Sequence, residues 1–334
     1  MSKIWITKGS KRAQEVLKGV INPPTPYADL IEAYYANAYH AGCVDVKAIN
    51  ILGNGLKDAG LSKTLSDMCI DSSLFMVLEK TIRDLVLFGN AFWETPKGEI
   101  YHMPAWTMYR TDKGWQQVVG KEKVNYTEDE IWHFRTDSLQ SSYYGSPGYL
   151  SILPAIELMG TITSYNKNFF KNNAIPDFAI VTEGGVLSPA VEQNIQRFLR
   201  NKFQGYENAH KTLYLPVPEG MKVKFEFLQG QGTKDMRFQE LANTCVAEII
   251  ACHGVPPRLL GIQVPGKLGG GGETSGEMEI FYRTRIKPLQ NVFGGQLDAY
   301  FRERLGKTTD VEFESFDYSE SSAEIVMKAL QKMG

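Results

Sequence analysis

The sequence predicts an α+β protein, and three observations carry that prediction. Apolar residues recur at helical spacing in four stretches, 27–42, 66–88, 147–172 and 234–253. Between the second and third, over 91–134, lie short β-type runs divided by turn residues. The last two helical stretches bracket a compact insert that mixes strand and helix signals.

The first 26 residues mix charges with Val16, Leu17, Val20 and Ile21 and end in Pro23-Pro24-Thr25-Pro26, which predicts an N-terminal arm on an extended path. Leu30, Ile31, Tyr34, Tyr35 and Ala38 predict a helix over 27–42. A second follows over 66–88, with Leu74, Val77, Leu78, Ile82 and Leu85 on one face and Gly89-Asn90 as its stop. Gly98, Asp112-Lys113-Gly114 and Asn125 then separate the strands of a small meandering sheet. After Tyr143-Tyr144-Gly145-Ser146-Pro147, helical spacing places Ile152, Ile156, Met159, Thr163 and Phe170 on one side, and Pro154 is early enough to be tolerated.

The insert reads as a strand at 177–182, a helix opened by Ser188-Pro189, and strands near 212–217 and 222–228. Helix returns over 234–253 with Phe238, Leu241, Cys245, Ile249 and Cys252, and Gly254-Val255-Pro256-Pro257 stops it. Seven glycines among the sixteen residues from Gly261 to Gly276 predict a loop that loses much backbone entropy when ordered. A long helix over 276–304, kinked at Pro288, an acidic strand at 310–316 and a short helix at 321–332 complete the chain.

Composition narrows the function. With 334 residues, 43% hydrophobic and 22% charged, the chain can bury a core without metal or disulfide staples. Its 36 basic and 38 acidic residues exclude a global attraction to nucleic acid or to an anionic membrane. Cys43, Cys69, Cys245 and Cys252 form no dense disulfide framework, so a reducing compartment is expected. The start carries no apolar segment of the export type, and Glu79, Lys80, Arg83 and Asp84 interrupt the most apolar stretch, 74–93, so no membrane span is expected.

The chemical motifs fail one by one. Gly261-Ile262-Gln263-Val264-Pro265-Gly266-Lys267-Leu268 imitates a phosphate-binding loop but puts Leu where Ser or Thr must ligate magnesium, and Pro265 removes an amide from the cradle. Gly53-Asn54-Gly55 lacks the third glycine and the βαβ context of a dinucleotide site. His40 with Cys43, and Cys245 with Cys252 and His253, are the nearest approaches to zinc spacing, and core cysteines explain both better. Asp310, Glu312 and Glu314 at period two, followed by Asp317, Glu320 and Glu324, read as a solvated face. Trp93, Trp106, Trp115, Trp132 and Phe134 fall within the meander, where cross-strand packing accounts for them. No catalytic residue, cofactor site or metal site is expected. A nucleotide hydrolase built on Lys267 is the alternative enzyme reading.

Five segments in a fixed order do resemble a known family. Asp84 to Trp93, with its helix-ending Gly89-Asn90, comes first; Glu130-Ile131-Trp132-His133-Phe134 with Tyr144-Gly145-Ser146-Pro147 follows. Then come Tyr165 to Pro176, Phe203 to Lys211, and Ile249 to Gly261. Together they resemble the portal proteins of tailed bacteriophages, and the short length is like the branch of contractile-tailed phages. The resemblance implies a portal fold with an α/β wing (27–146 with 274–318), two stem helices (147–174 and 233–254), a small αβ clip (175–232), a tunnel loop (255–273) and a minimal crown or tail (319–334).

It further implies a dodecameric ring at one capsid vertex, assembled in the host bacterial cytoplasm; a phage adaptor ring protein without a DNA channel is the alternative. Double-stranded DNA would pass through it during packaging and ejection. The large terminase subunit and then a head-completion or tail adaptor would dock on it, and the major capsid or scaffold protein would surround it. In that setting Lys267 with Gly269, Gly270, Gly271 and Gly272 is the expected DNA-channel loop, and Tyr206, Asn208, His210 and Lys211 the terminase- or adaptor-facing clip surface. Gly160, Ser164 and Asn168 are the expected stem-packing positions. Near-neutral charge suits a conduit, because each desolvated lysine–phosphate contact adds friction through counterion release.

Overall fold

The computed structural model describes residues 19–172, 178–183, 222–227, 232–262 and 271–316, together with Pro189 and Gln193. They divide into two compact units, one drawn from residues up to Leu153 and from Ile249 onward, the other Pro154–Glu248. The expected strand near 212–217, the helix opened at Ser188, the last helix at 321–332 and the first 18 residues lie outside the described residues.

In the first unit the stretch expected as one helix over 27–42 is two, α1 (Tyr27–Ala36) and α2 (Ala38–Leu52). Asn37 breaks them: its backbone is extended and its side chain accepts from the His40 N–H at 3.0 Å, capping α2. The expected helix over 66–88 likewise resolves into the end of α3 (Ala59–Met68) and α4 (Leu74–Phe88). Asp58 caps α3, and Ser73 restarts the chain as the cap of α4. The α4 face that carries Val77, Leu78, Ile82 and Leu85 is buried as its spacing predicts.

The 91–134 region is two antiparallel three-stranded sheets rather than one meander. In the first, β1 (Asn90–Glu94) lies between β2 (Tyr101–Met103) and β6 (Ile131–Arg135), with Trp93 opposite both His102 and Trp132. The second runs β3 (Met108–Thr111), β4 (Gly114–Val119), β5 (Glu122–Tyr126), with Arg110 opposite Trp115. Trp115 joins the sheets, its ring 4.8 Å from those of both Phe92 and His133. Cross-strand packing thus accounts for Trp93, Trp115, Trp132 and Phe134, while Trp106 lies outside the strands and is exposed.

The second unit contains most of α5 (Leu153–Asn172), the antiparallel pair β7 (Phe178–Glu183) and β8 (Lys222–Phe227), and α6 (Gly232–His253) up to Glu248. Along α5 the buried positions are Ala155, Ile156 and Ile162; Thr163, expected on that side, is exposed.

The chain re-enters the first unit at Ile249, passes a 3-10 turn at Pro257–Leu260, and forms α7 (Gly271–Phe281). Gly271 and Gly272 therefore belong to a helix, not to the expected loop. The kink expected at Pro288 is a π-turn over Tyr282–Ile286, just upstream of α8 (Lys287–Leu305). A π-turn admits one extra residue, and Pro288 sits in the first turn of the helix that follows, where its missing N–H costs nothing.

α8 closes the core with Phe293, Leu297, Tyr300 and Phe301, each at most 2% exposed. Burial of a side chain of that size contributes about 1.5–3 kcal/mol. The Gln296 amide fastens α8 to β6, accepting from the Arg135 N–H at 2.8 Å and donating to the Arg135 carbonyl at 3.0 Å. Past Gly306, the segment expected as an acidic strand is an extended strap with a single bridge, Phe313 to Leu56. Val311 and Phe313 face the core while Asp310, Glu312 and Glu314 face solvent, the expected alternation. The strap exchanges backbone hydrogen bonds of 2.7–2.9 Å with Asn54, Gly55 and Lys57.

Candidate functional site

The expected site residues fare differently. Gly160 and Ser164 lie four residues apart on α5, Ser164 is exposed, and a Cβ at Gly160 would meet no atom within 4 Å. Thr161 and Thr163 return their hydroxyls to the carbonyls of Glu157 and Met159, so these two hydroxyls are satisfied within the helix. Asn168 is in α5, but its side chain is outside the described residues, as are Lys267, Gly269, Gly270, Tyr206, Asn208, His210 and Lys211. On α6, Cys245, Ile249 and His253 form a narrow buried stripe at four-residue spacing, and Leu241 is 38% exposed. Among the described residues of α6 this stripe is the covered face, and the exposed positions beside it leave apolar and polar surface for a partner.

Two groupings that the sequence hides are built by the first unit. At the C-terminal end of α6, the His253 ring meets that of His40 from α2, Nδ1 of His40 lying 3.0 Å from Nε2 of His253. Both rings are at most 1% exposed, and Tyr149 packs against each. Burial lowers the His40 pKa to about 4 and the His253 pKa to about 2, and the Lys47 charge acts in the same direction on both. The pair is therefore neutral and shares one N–H···N bond. The sequence placed these residues in two separate zinc-like groups; their 213-residue separation concealed the contact. Among the described residues no cluster of three or more His, Cys, Asp or Glu is arranged to hold a metal.

The second grouping is a cleft of about 540 Å³ where β3, β6 and the end of α8 meet. Arg110, Arg135 and Arg304 enter it from three distant segments. The Arg110 guanidinium stacks between the rings of Trp115, at 5.3 Å, and Tyr143, at 5.6 Å, and pairs with Glu128 from the turn before β6. Arg304 lies 5.7 Å over Trp132. Its Nη1 is 3.8 Å from the 96% exposed carboxylate of Asp129. Arg135 gives Nη1 to the Ser142 carbonyl and makes no ion pair among the described residues. His133 is held neutral at a pKa of about 3 by burial, then by the charges of Arg135 and Arg110. Three N–H donors of cleft side chains, Nε of Arg110, Nε of Arg304 and Nε1 of Trp132, are buried without a hydrogen-bond partner.

Behind the cleft, Asn90 ties β1 to the approach to α5. Its Nδ2 donates to the carbonyls of Phe88, at 2.8 Å, and Gly145, at 3.0 Å. Its Oδ1 accepts from the Gly145 N–H at 2.8 Å and from Nε2 of His133 at 3.0 Å. The backbones approach too closely here for side chains: a Cβ on Gly145 would stand 2.1 Å from the Gly89 carbonyl oxygen, and a Cβ on Gly89, which has φ +71°, would stand 2.6 Å from the Ser146 carbonyl carbon. Gly89-Asn90 and Gly145-Ser146-Pro147, two separate pieces of the resemblance, are thus one structural joint.

Comparison with known proteins places the fold. The family model "Phage portal protein" matches residues 53–333. Two curated relatives are uncharacterised proteins of Rickettsia bellii (strain RML369-C), 25% identical over 259 residues, and Rickettsia felis (strain ATCC VR-1525 / URRWXCal2), 28% identical over 204. The alignments cover 70% and 54% of this chain, and 63% and 50% of those relatives. Among solved structures, a chain of a native gene transfer agent virion gives a TM-score of 0.68 at 21% identity, covering 94% of this chain and 90% of that one. A chain of the native gene transfer agent neck computed with C12 symmetry gives 0.67 over the same shares. An HK97-family phage portal protein from Corynebacterium diphtheriae gives 0.50 at 13% identity, covering 89% of this chain and 96% of that one.

Proposed function

The chain belongs to the phage portal protein family, and from that premise we propose that it is the subunit of a ring at one vertex of a phage-like particle. Double-stranded DNA enters and leaves through the ring, and the chain's role is structural rather than catalytic. The observation that carries this reading is the likeness over 94% of the chain to a chain of a gene transfer agent neck computed with C12 symmetry. Two features of the chain support it. Among the described residues α5 and α6 each bury a narrow stripe and leave exposed positions beside it, which suits a subunit completed by neighbours. A head-to-tail contact between two different faces generates a closed ring.

Within this reading α5 and α6 are the stem, the residues between them the clip, and the sheets with α7, α8 and the strap the wing. Gly160, Ser164 and Asn168 face the next stem. Tyr206, Asn208, His210 and Lys211 meet the terminase motor and later the head-completion protein. Lys267 makes transient phosphate contacts from the glycine run, and the ring sits among capsid or scaffold subunits after assembly in the bacterial cytoplasm. Among the described residues no helix is long and apolar enough to cross a membrane.

Negative-stain class averages of the purified chain test the central claim. Rings of twelve copies with an axial hole are expected, matching the symmetry of the related neck. Compact monomers that persist at high concentration with scaffold protein present would overturn it. Particles carrying Lys267→Ala that package and retain DNA like the parent would remove Lys267 from the channel.

A further inference from the structure

We propose that the cleft between β3, β6 and the end of α8 is a carboxylate-binding site that takes an acidic side chain of a protein partner, in exchange for the chain's own Glu128. The inference goes beyond the portal reading and does not depend on it.

Three observations converge. First, the cleft presents planar cations in fixed orientations: Arg110 between Trp115 and Tyr143, and Arg304 over Trp132. A guanidinium clamped on an aromatic face turns its edge toward a carboxylate, as Arg110 does to Glu128, and little side-chain entropy remains to be lost when one carboxylate replaces another. Second, the unsatisfied groups are all donors, the two arginine Nε atoms and the indole Nε1 of Trp132. These donors carry almost no accessible surface and make the cleft walls donor-rich, while the groups an incoming carboxylate can touch are the outer guanidinium nitrogens. Third, the chain already displays the chemistry, since the Glu128 carboxylate sits on Arg110 from a mobile-length side chain that is 61% exposed. The Glu128 end of the pair is open to solvent while the Arg110 side chain is 17% exposed, so an incoming carboxylate replaces Glu128 without moving Arg110.

The same cleft decides against a nucleic-acid phosphate backbone. Glu128, Asp129 and Glu303 line it beside the three arginines, and His133 is neutral, so the formal charge of the cleft balances. A polyanion would meet three carboxylates at once, whereas a single carboxylate need displace only one. The volume of about 540 Å³ falls within the usual range for a binding cleft and admits an acidic residue with an apolar neighbour against the exposed edge of Tyr143.

The test uses the full chain and two acetylated, amidated tripeptides, Phe-Glu-Phe and Phe-Gln-Phe, titrated by calorimetry at about 50 mM and about 300 mM salt. The glutamate peptide is expected to bind at least about tenfold tighter than the glutamine peptide, and more weakly at the higher salt. Glu128→Gln removes the internal competitor and should tighten glutamate-peptide binding about three- to tenfold. Arg135→Gln, at an exposed and unpaired arginine, should weaken it about tenfold while the circular dichroism spectrum and thermal midpoint stay as in the parent. Equal binding of the two peptides, no binding of either at millimolar concentration, or an unchanged affinity in Glu128→Gln would overturn the proposal. A short DNA duplex that displaces the glutamate peptide would overturn the choice of carboxylate over phosphate.

Discussion

Asn90→Ala tests the joint between the first sheet and the approach to α5. Asn90 is 1% exposed, and all four of its side-chain hydrogen bonds are filled. Truncation to Ala leaves the Phe88 and Gly145 carbonyls, the Gly145 N–H and the His133 ring to find other partners. Each buried group left unsatisfied costs about 1–3 kcal/mol, and some will reach water or one another. Two uncompensated groups are a conservative count, which gives a loss of about 2–6 kcal/mol, a large fraction of a typical domain stability of about 5–15 kcal/mol. In urea at a slope of about 2–3 kcal/mol per molar, the unfolding midpoint should fall by about 0.7–3 M with the slope unchanged. Tryptophan fluorescence of the unassembled chain reports it, because Trp93 and Trp115 are buried in the same sheets. A midpoint within about 0.3 M of the parent would show that the Asn90 hydrogen bonds are replaced without loss, and the reasoning fails.

Acid should destabilise the chain below about pH 6.5, because His40, His253 and His133 have folded pKa values of about 4, 2 and 3 and bind protons more readily when unfolded. Their contribution is complete above the unfolded pKa and is lost as pH falls toward the folded values, at about 1.4 kcal/mol per pH unit for each histidine; denaturation midpoints that are flat from pH 7 to 5 would refute this. Gly89→Ala should cost about 2–4 kcal/mol in a thermal or urea melt, since a positive φ of 71° and a Cβ 2.6 Å from Ser146 both oppose it. Gly160→Ala should raise the stability of the isolated chain by about 0.5–1 kcal/mol, because α5 has open space there, while Gly160→Trp should leave the melt near the parent and abolish rings in negative stain.

What the sequence revealed and what it hid follow from how far apart the cooperating residues are. α4 was legible because its apolar spacing and its glycine stop all lie within 16 residues, and α6 because Gly254 and two prolines end it. The breaks at Asn37 and at Cys69–Ser73 were missed although Asn and Ser are capping residues, because apolar spacing continued across them and outweighed a single polar letter. Pro288 gave the place of the kink to within a turn, but a π-turn has no residue signature and only the structure supplies it. The histidine pair and the arginine cleft were illegible for another reason: each joins residues from separate segments, and no spacing rule connects Arg110, Arg135 and Arg304. For the cleft, the one available hint was the density of tryptophan in the meander, which was assigned to packing and does serve it.

The strap along α8 has a consequence for the order in which the protein can be made. Its bonds tie Glu312 and Glu314 to Gly55 and Lys57, and Gln290 holds the Ile51 carbonyl, so the core of the first unit is completed by residues translated some 240–260 positions after those they meet. At about 5–20 residues per second, the apolar faces of α2, α4 and β1 wait roughly 10–50 seconds on the ribosome for their cover. The intervening residues can fold as a unit during that interval, while the N-terminal half stays open to aggregation or to a chaperone. Non-local closure of this kind also slows refolding in vitro. A circular permutant that starts at the π-turn would deliver α8 and the strap first, and should fold faster than the natural order if this delay limits the rate.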